Sequence, residues 1–150
     1  MPEQPVERRP RILSKPTLGL IALGCIALAA ALVAGIADNP PGAALLFGSV
    51  ICFLLAIVHR WSRPRTFLWF AAAAAVSFPV FVILHNVFYG LGEMASERPL
   101  LHGLCEVLHV ITFFVAVLIS PPALVIGLLG ALVTYLVRKR EMNRETGGSS

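Results

Sequence analysis

Four long stretches of the chain are almost free of charge, and short polar segments separate them. Thr17 to Ala37 is continuously apolar, long enough to cross a hydrocarbon core that needs about 20 helical residues. Ala43 to Val58 is a second run, shorter but completed by its flanking residues. Phe67 to Tyr89 is the third, with Trp69 near one end and Tyr89 at the other, residue types that favour the membrane–water interface. Val107 to Val137 is apolar for 31 residues, interrupted by Ser120-Pro121-Pro122. At about 1.5 Å per residue it exceeds a core of about 30 Å.

The pattern predicts an all-α integral membrane protein, an antiparallel bundle of four transmembrane helices spanning about 17–37, 43–58, 67–89 and 107–137. Pro79 lies mid-span and removes the hydrogen bond to the Ala75 carbonyl, which predicts a kink in the third helix. Pro121-Pro122 predicts another in the fourth. Ala27, Ala31 and Gly35 lie four apart, a small-residue ridge on which a second helix can pack closely.

The separating segments read as tails and turns. Residues 1–16 carry Pro2, Pro5, Pro10 and Pro16 among Arg8, Arg9, Arg11 and Lys15, and read as a disordered basic tail. Asp38-Asn39-Pro40-Pro41-Gly42 is a turn whose first two side chains can cap the following helix. Residues 90–98 read as a loop, with Ser96 able to cap a helix that begins before Pro99. Residues 138–150 form a polar tail. The first apolar run exceeds the roughly 7–15 residues of a signal-peptide core, so it reads as a retained span.

Charge decides between four spans and five. The N-terminal tail holds four basic residues, the 59–66 segment holds Arg60, Arg63 and Arg65, and the C-terminal tail holds Arg138, Lys139, Arg140 and Arg144. The two other connections share only Arg98. Four spans put every basic segment on one side, and the positive-inside rule makes that side cytoplasmic. A cell-membrane protein with both termini in the cytoplasm is the expectation, with Arg60, Arg63, Arg65, Arg138, Lys139 and Arg140 at the membrane interface.

Composition agrees: 57% of residues are hydrophobic and 13% charged, against about 25% charged in soluble proteins. The formal charge of +4 is confined to clusters beside apolar runs and is not interleaved with aromatics, which argues against a nucleic-acid partner. The lipid bilayer is the evident partner, with a homo-oligomer or a larger membrane complex as further possibilities. Cys25 and Cys52 sit in apolar runs as small hydrophobes; Cys105 is expected nearest to water, and three thiols define no disulfide framework.

Chemistry concentrates between His85 and His109. If residues 97–119 are helical, His102, Glu106 and His109 share one face, bordered by Cys105. His85 and Tyr89 form another four-residue pair, with Asn86 alongside, and a hairpin would bring the two groups to similar depth. Three uses are chemically open. Imidazoles and a carboxylate ligate metal ions, and Glu106-x-x-His109 has the spacing used in carboxylate-bridged di-iron bundles, although only one such motif is present. His85 and His109 are spaced to hold a haem from facing helices. Ionisable groups facing a cavity also suit an ion or proton path. Against these stands the use of His85, Asn86 and Tyr89 as interhelical hydrogen-bonding groups, with His102 and Glu106 wet at a helix end. His59 belongs to the basic interfacial cluster and has no special role in this reading.

No phosphate-binding loop, nucleophile elbow or metal-spaced cysteine pair occurs. The expectation is a non-enzymatic structural or interaction subunit. A metal- or haem-binding protein using His85, His102, Glu106 and His109 is the alternative, and a small channel or transporter a further one.

Overall fold

A computed structural model describes residues 14–36 and 39–147, with residues 144–147 described by backbone alone. Residues 1–13, Ala37, Asp38 and 148–150 lie outside it, so the disordered character of the N-terminal tail and a capping role for Asp38 fall outside the described residues. The elements in order are α1 (Lys15–Ala34), α2 (Pro40–Val58), α3 (Pro64–Met94), α4 (Pro99–Phe114), a π-helical turn (Val115–Ile119) and α5 (Ser120–Gly147). The described residues contain four helices long and apolar enough to cross a membrane, the last running unbroken from Pro99 to Asn143. They make a four-helix bundle.

Each helix starts before its apolar run does. Proline occupies the first or second position of α1, α2, α3 and α4. There its missing N–H costs nothing, because first-turn donors have no intrahelical acceptor. These prolines of the tail and connections are therefore helix starts. Asn39 stands at the N-cap of α2 without a side-chain cap; its amide reaches back to the Ala34 carbonyl at 2.6 Å and so ties off α1. The segment expected as a loop after Tyr89 is helical to Met94, and Arg98, not Ser96, precedes α4. Glycines 90 and 92 do not end α3, because packing against α4 outweighs their weak helix propensity.

The helix is maintained through Pro79. At Pro121-Pro122 the irregularity takes the form of a wider turn. These prolines cannot donate to the carbonyls of Val117 and Leu118. The preceding residues adopt π geometry, with the Ser120 N–H bonded to the Val115 carbonyl five residues back. The Ser120 hydroxyl donates to the same oxygen at 2.9 Å. One continuous helix thus stands where two shorter segments were the alternative.

Packing follows chain order. α1 lies against α2, and α3 lies against α4 and α5, while α2 meets α5 only along a narrow seam. The α1 face is Thr17, Gly24 and Ala31, and the α2 face is Gly42, Ser49 and Ala56. Both sets step by seven residues, the repeat that keeps one edge of two slightly supercoiled helices in contact. Ala31 belongs to the ridge expected at 27, 31 and 35, but the observed seam runs along the seven-residue row. Gly24 gives room to the Phe53 ring, 2.9 Å from where a Cβ would stand. A Cβ on Gly42 would collide with the Gly35 carbonyl. Gly35 itself has φ +83°, which disfavours any side chain.

The second hairpin also closes on small residues. Ala71 and Ala74 of α3 and Ala123, Gly127 and Ala131 of α5 are all buried, and Ala71 stands against Gly127. At the basic end Val58, Phe67 and Ala131 bring α2, α3 and α5 together. Trp61 stands edge-on to Phe67 and Phe70, with ring centroids 5.4 Å away in each case. Large apolar side chains point outward instead: Val33 is 90% exposed and Ile26 66%. Such a surface is stable against acyl chains, where there is no hydrophobic penalty for exposure.

Candidate functional site

Local sequence explains why the polar groups gather at the end opposite the basic one. The 95–98 turn folds α4 back along α3, and Arg98 donates its N–H to the Ala95 carbonyl at 2.8 Å. Residues 85–94 and 99–113 are thereby paired. The expected cluster is present as two separate groups on this hairpin.

The first group is an imidazole pair. His85 and His109 stack with centroids 4.1 Å apart and planes inclined by 25°. His85 Nδ1 lies 3.2 Å from the His109 carbonyl. A carbonyl can only accept, so Nδ1 of His85 carries the hydrogen. Tyr89 and Phe113 flank the stack, Tyr89 5.4 Å from His109 and Phe113 5.4 Å from His85. Nδ1 of His109 is buried without a hydrogen-bond partner. Asn86 is exposed and donates to Val82 of its own helix at 2.8 Å, so it contributes no bond across the hairpin.

The second group surrounds Gly92. His102 donates from Nδ1 to the Gly92 carbonyl at 2.9 Å. A Cβ on Gly92 would stand 3.5 Å from the Cys105 Cβ and 3.7 Å from Glu106 Oε1. Cys105, expected nearest to water, is 5% exposed beneath this niche, whereas Cys25 is exposed on the outer face of α1. The reason is helical phase: Cys105 points at α3 and Cys25 points away from α2. His102 and His109 are seven residues apart, about 10 Å along α4, so the two groups do not merge.

This geometry limits the metal chemistry. Among the described residues no set of three or more His, Cys, Asp or Glu side chains converges as a metal ion requires. A haem between His85 and His109 needs both rings to direct a nitrogen at one central iron. Rings stacked face to face at 4.1 Å leave no room for a macrocycle, and their in-plane lone pairs do not meet. The donor set as arranged does not fit that cofactor.

A third polar group lies at the basic end, where sequence reasoning assigned nothing beyond the interface. His59 donates from Nδ1 to the Ala56 carbonyl at 3.0 Å, and its Nε2 faces Thr17 Oγ1 at 3.2 Å. Ser14 Oγ completes the set, 2.6 Å from Thr17 Oγ1. The buried hydroxyl of Ser49, which no motif marks, donates to the Gly24 carbonyl at 2.9 Å and joins α2 to α1. The usable signal was the seven-residue row Gly42, Ser49, Ala56. Arg60, Arg63, Arg65, Arg138, Lys139 and Arg140 are all exposed.

No family model, curated protein or solved structure matches this chain.

Proposed function

We propose that this is a non-enzymatic, multi-pass protein of the cell membrane, with both termini cytoplasmic, that acts by packing its helices against another membrane-embedded chain. That chain is a second copy or a member of a larger complex. One observation carries the reading: four polar side chains of the bundle are bonded to helix carbonyls. Ser49, His59, His85 and His102 each donate to one. Bonds of this kind hold helices together, and Nδ1 of each of these imidazoles is committed to one. The test is cross-linking of two differently tagged copies in intact membranes, with native mass measurement after mild solubilisation. A particle of fixed composition larger than the 16.1 kDa chain supports the proposal. A uniform monomer with no mixed-tag product rules it out.

A second reading is favoured by a single atom, the unpartnered Nδ1 of His109. A metal ion taken up there would make the imidazole pair a binding site and the protein a metal-dependent one. Metal analysis of the purified protein, with a His85→Ala/His109→Ala control, separates this reading from the first.

A further inference from the structure

At the basic end the turn before α3 and the last apolar turns of α5 enclose a cleft of about 380 Å³. Two arginines from different elements, Arg63 and Arg138, line it together with Ser62. No carboxylate among the described residues pairs with either guanidinium, and Glu141, also on the wall, makes no ion pair with them. Thr134 closes one side but already donates to the Gly130 and Ala131 carbonyls, at 2.7 and 3.1 Å. The remaining wall is Val133 and Val137, 57% and 50% exposed.

The cleft is therefore amphipathic along the membrane normal. Val133 and Val137 belong to the last apolar turns of the span, and Arg138 begins its charged end. Trp61 lies next to Ser62 and marks the headgroup level, where indoles concentrate. Paired guanidiniums suit a phosphate, which accepts from the planar fork in two places. Basic clefts between transmembrane helices bind anionic headgroups by this chemistry. A free phosphate would use the arginines and leave the valines idle, whereas a phospholipid uses both.

We propose that this cleft binds the phosphate of one anionic phospholipid, with Arg63 and Arg138 on the headgroup and an acyl chain along Val133 and Val137. It is a discrete site, distinct from the diffuse attraction of every basic residue here to an anionic surface. The test uses the full chain in neutral detergent and reads bound lipid by native mass spectrometry, with phosphatidylglycerol, phosphatidylcholine or inorganic phosphate added. One phosphatidylglycerol is expected to bind in preference to phosphatidylcholine, and inorganic phosphate is expected not to displace it. Arg63→Ala/Arg138→Ala should weaken that binding about 30-fold, the equivalent of two lost charge contacts near the surface. Arg60→Ala/Lys139→Ala removes the same charge outside the cleft and should weaken it far less. Equal weakening by the two double variants overturns the site, as does equal retention of the two lipids. Displacement by inorganic phosphate overturns the lipid assignment. Unchanged melting of both double variants in phosphatidylcholine shows that they are folded, and the single variants Arg63→Ala and Arg138→Ala serve if one is not.

Discussion

Gly127 and Ala71 meet nearly backbone to backbone: a methyl group on Gly127 would come within 2.8 Å of the Ala71 Cβ and 2.9 Å of its backbone nitrogen. Neither partner is the end of a flexible side chain, so neither can move aside. Gly127→Leu is expected to force α5 from α3 and cost about 1–3 kcal/mol, the usual range for overpacking. Gly19 has nothing within 4 Å of its would-be Cβ. Gly19→Ala should be neutral or stabilise by up to about 1 kcal/mol through helix propensity. Thermal unfolding in detergent, compared across the two variants, checks both; equal losses would show that the close approach is not a stability determinant.

Ser49→Ala tests the buried bond between α2 and α1. The Gly24 carbonyl keeps its place in the α1 hydrogen-bond ladder, so no buried acceptor is orphaned by the change. The expected loss is modest, about 0.6 kcal/mol and at most about 1.7. A denaturant titration resolves it, and a loss above about 3 kcal/mol would mean that Ser49 does more than donate one bond.

The imidazole pair makes a sharper case. His85→Phe keeps a ring against His109 but removes the donor to its carbonyl, whereas His85→Ala removes both. Under the packing reading the order of stability is wild type, then His85→Phe, then His85→Ala, and the purified protein shows no haem absorption. Stoichiometric haem or metal that vanishes in the His85→Ala/His109→Ala variant would falsify that reading.

Topology follows from the side on which the basic segments lie. Single cysteines at Ser62 and Ser96, both exposed and at opposite ends of the bundle, should label from opposite faces after the native cysteines are replaced by alanine. Ser96→Cys is expected to react with an impermeant reagent added outside intact cells, and Ser62→Cys only after lysis. The reverse pattern would invert the assigned orientation.

The spans and their antiparallel order were legible because uncharged runs near 20 residues have few alternatives in lipid. Helix starts were only partly legible: Pro99 fits a first turn, but Pro16 and Pro64 read as tail and connection until their first-turn position is known. The pairing of His85 with His109 followed from the depth of each residue, but the split from His102 and Glu106 did not. Sharing a face of α4 says nothing about what α3 places opposite. There α3 offers the His85 ring at one level and only the Gly92 backbone at the other. Hydrogen bonds to carbonyls, such as those of His59 and Ser49, were hidden for a related reason: every residue supplies the acceptor, so no sequence pattern marks it.

The narrow seam between α2 and α5 bears on how the molecule comes together. Each hairpin closes through a short connection, residues 35–39 in one and 95–98 in the other, so little loop entropy opposes either closure. The two halves then meet at Val58, Phe67 and Ala131. The protein is in effect two helical hairpins joined by the 59–63 linker. Residues 1–60 and 61–150 made as separate polypeptides from one cell are expected to find each other and co-purify, and recovery of neither half with the other would show that the linker is needed for assembly.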